Sequence, residues 1–397
     1  MAANAAITGL GLVGLTRDTP GPALTLARQA VQGAIADAGL RHTDIDGLVV
    51  CRSGAASESD LGLGLQHTLA LRDLSLLQVL HGEGTSVVQA LQTAAMAVGA
   101  GLARHVAVVF ADAPMKADVP AGKSFGRVKS SRGIKGLRYT AGLFGGAAVY
   151  ALAARRHMDL YGTREEHFGA VAIQTRRWAM LNPRAVLRGE LTMQAYLAAR
   201  WIAEPLRLYD CAMPVNGAIA VVVSQAARAA DLAQPPVYLP GFGQGHPGLP
   251  EQRGFEPEVT SGAARARDAA FAMAGITLAD VDMCQIYDAF SYITLLTLEQ
   301  YGFCKKGEGG PFVASGATGP GGTLPTNTGG GHLSGFYLQG MTPVAEGVVQ
   351  ARGQAGERQC ARRDMVLVTN EGGRFDHHAC VLLSPHADAG AAARSKP

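Results

Sequence analysis

An internal repetition limits the folds open to this chain. An apolar-periodic helix covering Ala27-Arg28-Gln29-Ala30 closes at Ala38-Gly39-Leu40, and after three residues Asp44-Ile45-Asp46 leads into the strand Gly47-Leu48-Val49-Val50. The frame returns about 236 residues further on. There, Ala266-Arg267-Asp268-Ala269 leads to Ala274-Gly275-Ile276, and Asp280-Val281-Asp282 precedes Met283-Cys284-Gln285-Ile286 in the strand position. Two copies of one helix-turn-strand unit, far apart in the chain, imply a duplicated α/β domain. Apolar runs without alternation, at 106–110, 219–223 and 365–368, suit strands covered by helices on both faces. The double proline in Ala233-Gln234-Pro235-Pro236 stops a helix and divides the chain into halves 1–234 and 235–397. A basic loop at 113–145 opens an insertion in the first half that reaches about residue 205. It sets Lys116, Lys123, Arg127, Lys129, Arg132, Lys135 and Arg138 against Asp118, and suits coenzyme A phosphates, an acidic partner surface or plain solvent.

Composition narrows the function classes. Charged residues are only 17% of the 397, and 35 basic against 32 acidic residues leave +3, so no chain-wide field points to nucleic acid. Such a balance fits a large buried core, with further surface lost in an oligomer. Six cysteines stand at 51, 211, 284, 304, 360 and 380 without a CxxC pair, which argues against zinc and against a disulfide scaffold. The start, Met1-Ala2-Ala3-Asn4, lacks a basic signal region, and no run of about 18 apolar residues occurs, so a cytoplasmic protein away from the membrane is expected.

Two glycine motifs call for opposite readings. Gly9-Leu10-Gly11-Leu12-Val13-Gly14 matches the dinucleotide fingerprint, but Thr19-Pro20-Gly21-Pro22 cannot begin the helix that the pyrophosphate needs. Close packing of a first strand is the better reading. Between Gly307 and Gly331 stand ten glycines, ending in Asn327-Thr328-Gly329-Gly330-Gly331-His332. That density lets backbone approach a ligand and aim amides at developing charge.

Further segments carry a resemblance. They are Arg176-Arg177-Trp178-Ala179-Met180-Leu181-Asn182-Pro183-Arg184-Ala185, Pro205-Leu206-Arg207-Leu208-Tyr209-Asp210-Cys211, Asn216-Gly217-Ala218, Tyr287-Asp288-Ala289-Phe290 and Gly302-Phe303-Cys304-Lys305-Lys306-Gly307. With the duplicated segment and the Asn327 loop, they make the chain resemble the thiolase superfamily, in the group of sterol-carrier-protein thiolases and lipid-transfer proteins. The resemblance implies a five-layered αβαβα α/β fold of two similar halves, usually dimeric. It also implies where catalytic groups should stand, and there the chain departs. Gly84 occupies the slot of the nucleophilic cysteine, Tyr337 that of a catalytic histidine, and Asn370 that of the second cysteine, while Tyr287 opens the fourth motif. Acyl transfer through a cysteine is therefore not expected.

Two tyrosines in former catalytic slots resemble the thiolase-like aldolases of bacterial steroid side-chain degradation. Those enzymes cleave a β-hydroxyacyl-CoA, release a 17-keto steroid and a short acyl-CoA such as propionyl-CoA, and work with a small OB-fold partner. The resemblance implies retro-aldol cleavage, with Tyr287 as base on the substrate hydroxyl and Tyr337 as donor to the enolate, or the reverse. A phenol with its ordinary pKa near 10 is a slow base, so an amide-rich or cationic setting is expected to lower one of them. Supporting roles fall to His332 as an enolate hydrogen-bond donor, His378 in Asp376-His377-His378 as orienting or proton-holding group, Asp288 as a mainly structural carboxylate, and Glu83 as a base or a helix cap. Amides of Gly84, Gly330, Gly331 and Gly372 are the oxyanion candidates. No metal and no cofactor are expected, coenzyme A being part of the substrate; a homodimer and the OB-fold partner are. Two alternatives stay open: an atypical acyltransferase or thioesterase recruiting Ser86, and a non-catalytic acyl-CoA or lipid-binding scaffold.

Overall fold

Eleven strands lie among the described residues: β1 (Ala5–Thr16), β2 (Gly47–Cys51), β3 (Leu76–Leu80), β4 (His105–Asp112), β5 (Trp201–Ala203), β6 (Leu206–Arg207), β7 (Asn216–Gln225), β8 (Val237–Gly245), β9 (Met283–Ile286), β10 (Val366–Gly372) and β11 (His377–Ser384). The structure is a computed structural model that describes residues 4–18, 21–53, 61–117, 119, 134–248, 261–373, 375 and 377–394. Nine strands follow the order β3-β2-β4-β7-β1-β8-β11-β10-β9, and β5 and β6 form a separate ribbon.

The repetition reappears in the pairing. Strand β2 runs parallel to β4, which pairs antiparallel with β7, itself antiparallel to β1. In the same way β9 runs parallel to β10, β10 antiparallel to β11, and β11 antiparallel to β8. The two sets meet where Ala6 and Ile7 of β1 pair with Tyr238 and Val237 of β8.

Helices separate the sheets into layers. Helices α1 (Ala23–Asp37) and α2 (Leu61–Thr68) cover one outer face, packing Leu26, Val31 and Leu65 on Leu48, Val50 and Val109. Helices α3 (Ser86–Gly99) and α8 (Met341–Ala351) lie between the two sets of strands, their Val87, Leu91, Val344 and Val348 sharing one core with Val106 and Val221 on one side and Val366 and Val381 on the other. The far face carries α4 (Gly145–Tyr161), α5 (Glu165–Met180), α6 (Ala263–Ala274) and α7 (Ser291–Tyr301) over Cys284, Ile286, Leu367 and Leu382. The result is the αβαβα stack that the resemblance implies.

The glycines of β1 are a packing device. A Cβ on Gly9 or Gly11 would lie 2.0 or 2.1 Å from the carbonyl oxygens of Ala34 and Ala30 on α1. Strand β8 repeats it, with Gly241 and Gly243 at 2.2 and 2.0 Å from the oxygens of Ala270 and Ala266 on α6. Each half thus seats its first helix directly on strand backbone. In the basic loop, Lys123, Arg127, Lys129, Arg132, Asp118 and the side chains of Lys135 and Arg138 lie outside the described residues. Among the described residues no helix is long and apolar enough to cross a membrane.

Candidate active site

Tyr287 follows directly on β9, where its amide donates to Thr369 O of β10 at 3.1 Å. Tyr337 follows a π turn over Gly331–Gly335, and its amide donates to Met213 O at 2.9 Å. Two segments 50 residues apart thereby bring their phenolic oxygens within 2.7 Å of each other, the rings nearly perpendicular at 80°. Tyr287 is buried and Tyr337 half-buried, so the pair opens outward on the Tyr337 side.

The cysteine slot explains why both phenols fit. A Cβ on Gly84 would meet the Tyr287 hydroxyl at 2.9 Å and the backbone oxygen of Glu371 at 2.0 Å. The phenol fills space that a side chain at position 84 would need. Ser86 is committed locally: its hydroxyl donates to Glu83 O at 2.7 Å and accepts from Gly82 N at 2.8 Å. Asn370 sits buried on β10 with its Oδ1 accepting from Val88 N at 3.3 Å. Burial pushes the thiols of Cys304, Cys360 and Cys380 up to about 12, far from the thiolate range.

Electrostatics correct the expectation of a lowered phenol. Burial raises both: Tyr337 is pushed up to about 12, and Tyr287 stands well above its ordinary value, raised further by its partner phenol. The charges of Asp112 and Glu371 add to the effect on Tyr337. Asp112 is itself pushed up to about 6 by burial, against the hydrogen bond its Oδ2 accepts from Ser53 at 2.7 Å. The hydrogen bond from Tyr287 works the other way on Tyr337, but burial outweighs it, and both groups are held as neutral phenols.

The other candidates separate by position. His332 is fully buried, its ring 4.7 Å from that of Tyr287 and 5.0 Å from that of Tyr337. Its Nε2 donates to Gln339 O at 2.8 Å and its Nδ1 lies 3.3 Å from Asp288 Oδ1, so neither nitrogen points to substrate space as an enolate donor must. Burial lowers His332 to about 3 and raises Asp288 to about 7. His378 is bonded to Tyr301, with Nε2 2.9 Å from that hydroxyl, rather than to either phenol of the pair. Glu83 is exposed in the left-handed region at φ 51°, and it is its backbone oxygen that receives Ser86 at the start of α3. Gly84 and Gly372 face each other beside Tyr287, a Cβ on Gly372 falling 2.5 Å from Gly84 N. The Gly330 amide is spent on Asn327 O at 2.8 Å, and Gly331 leaves room for Asp288, whose Oδ2 a Cβ there would meet at 2.2 Å. Asp376 lies outside the described residues.

Several residues with no role assigned from the sequence hold the site. Arg176 donates to Ser334 Oγ, Trp178 to Thr318 O and Asn182 to Gly329 O, so the end of α5 and the turn after it grip the glycine loop and the π turn. Buried Asp210 accepts from Tyr196 and from Ser291 at the start of α7, four residues beyond Tyr287. Tyr150 of α4 donates to Glu371 Oε2 at 2.6 Å and packs between Phe290 and Phe375. The sequence marks Arg176, Trp178, Asn182 and Asp210 only as members of motifs and gives no sign of Tyr150, Tyr196 or Ser291; their role needs the folded partners.

A two-half αβαβα stack whose acyl-transfer slots hold glycine, asparagine and tyrosine defines an enzyme of thiolase fold that works without a nucleophilic cysteine. Similarity to known proteins agrees. A family model described as thiolase C-terminal domain-like matches residues 253–385. The chain is 37% identical over 384 residues to the 17-hydroxy-3-oxo-4-pregnene-20-carboxyl-CoA lyase of Mycobacterium tuberculosis, covering 93% of this chain and 96% of that one. It is 33% identical to a steroid side-chain-cleaving aldolase of Thermomonospora curvata, covering 88% and 90% of the two chains. A solved structure described as the Ltp2-ChsH2(DUF35) aldolase superposes with a TM-score of 0.85 at 32% identity, over 96% and 98% of the two chains. The chain belongs to this family of thiolase-fold carbon–carbon lyases.

Proposed function

We propose that the protein cleaves the side chain of a steroid by a retro-aldol reaction on a β-hydroxyacyl-CoA thioester whose hydroxyl sits on ring carbon 17, as in the substrate named for its mycobacterial relative. The observation that carries the chemistry is the 2.7 Å phenol pair standing where acyl-transfer groups would be. The bond between the hydroxyl-bearing carbon and the α-carbon of the thioester breaks, and its electron pair passes into the thioester enolate. The hydroxyl becomes a ketone. Its proton moves to one phenol as that phenol passes its own proton to the other, which protonates the enolate carbon to give propionyl-CoA. Both tyrosines end as they began, neutral, so no phenolate has to stand free beside Asp112 and Glu371.

The reaction as proposed draws on no redox cofactor and no metal, and coenzyme A enters with the substrate. Gly84 and Gly372 bring backbone close enough to the pair to serve the enolate oxygen. The likeness to an aldolase named with a DUF35 partner supports a complex with a small OB-fold protein. A homodimer is supported by the edge strand β3, where Leu77 and Val79 are exposed on a strand that, among the described residues, is paired on one side. Six free cysteines suit a reducing, cytoplasmic setting.

Ketone release from a 17-hydroxy steroid CoA thioester, measured with the partner present, tests this reading. Tyr287→Phe and Tyr337→Phe are each expected to lower it by roughly a hundredfold or more. With phenols pushed as high as about 12, the wild-type rate should be flat between about pH 7 and 10. A rate climbing tenfold per pH unit there, or full activity in either variant, contradicts the relay.

A further inference from the structure

Tyr287 and Tyr337 come from segments that share no element, yet their oxygens meet at 2.7 Å. A contact of that kind needs something to fix its length. His332 touches both segments at once. On one side its backbone amide donates to Asp288 Oδ1 at 2.7 Å and its Nδ1 lies 3.3 Å from the same oxygen, next in sequence to Tyr287. On the other its Nε2 donates at 2.8 Å to the carbonyl of Gln339, two residues beyond Tyr337, which is held in the left-handed region at φ 46°. Its backbone oxygen receives the amide of Met213 at 2.7 Å, and Met213 O in turn accepts the amide of Tyr337. Between these anchors the imidazole stands edge-on to both phenol rings at 4.7 and 5.0 Å.

We propose that His332 is the positioning residue that sets the distance between the two phenols, clamping the Tyr287 segment through Asp288 and the Tyr337 segment through Gln339. The placement is independent of the reaction; only its kinetic consequence rests on the phenol relay. His332 handles no proton of the substrate. Its part is to keep two oxygens at hydrogen-bond distance where displacement by about an ångström costs on the order of a hundredfold in rate.

Crystal structures of His332→Phe and His332→Gln, together with kcat and KM on the steroid thioester in the partner complex, test it. The Phe variant keeps the aromatic contact with both rings and loses the bond to Gln339. Its phenolic oxygens are expected to part beyond 3.5 Å, outside hydrogen-bond distance, with kcat down roughly a hundredfold and KM within about twofold. The Gln variant, whose amide can still donate to Gln339 O, should recover part of both the contact and the rate, and it carries the test if the Phe variant does not fold. Phenols that stay paired in both variants overturn the clamp, whatever the activity. Phenols that part while kcat holds leave the clamp standing and overturn the relay instead.

Discussion

Position 84 shows how one residue sets the chemistry of the whole site. The methyl of an alanine there would be driven against the Glu371 carbonyl, which is backbone, and against the Tyr287 phenol, which is the softer neighbour. Gly84→Ala is therefore expected to displace Tyr287 and lower ketone release on the order of a hundredfold, approaching the loss in Tyr287→Phe, with an overpacking cost of about 1–3 kcal/mol in thermal unfolding. A variant with normal turnover would show that the phenol does not need the vacated space. The exchange of cysteine for glycine and of histidine for tyrosine is legible in the sequence once it is compared with the motifs of the family it resembles. The direction of the phenol pKa shifts is not, because it comes from burial and from Asp112 and Glu371, which lie far from either tyrosine in sequence.

Among the elements, the end of α5 holds the glycine loop. Asn182 donates to Gly329 O at 2.8 Å, and Ala179 packs so tightly that a Cβ on Gly330 would come within 2.7 Å of its methyl. Asn182→Ala leaves a buried carbonyl without its donor and is expected to cost about 1–3 kcal/mol, read as a lower melting temperature, together with a lower kcat because the same loop leads into the turn that presents Tyr337. Unchanged stability would show that the loop holds itself. The glycine motif of β1 illustrates what a pattern leaves open: spacing alone fits both a nucleotide turn and a close-packed strand. What decides is the carbonyl of Ala34 lying where a side chain would be, repeated by Ala270 over β8.

For the whole molecule, the sheet order among the described residues leaves β3 at one end, unpaired along one edge and with Leu77 and Val79 exposed. If two copies join there, Leu77→Arg with Val79→Arg should convert dimer to monomer in sedimentation velocity, with an unchanged circular dichroism spectrum showing that the sheet is intact, since both side chains are exposed although Val79 borders Gly62 of α2. A double variant that remains dimeric places the subunit contact elsewhere. The opposite end is covered, since Cys284 of β9 bridges to Thr326 of the glycine loop. The repetition of one α/β unit is written in the chain, because periodicity is a property of the chain, and its motifs, set beside those of the family it resembles, show no cysteine in the nucleophile's slot. Which groups act together follows from the folded chain. The phenol contact, its clamp through His332 and its neutral state all arise where segments far apart in sequence exclude water around one another, and burial of that kind has no signature within any single segment.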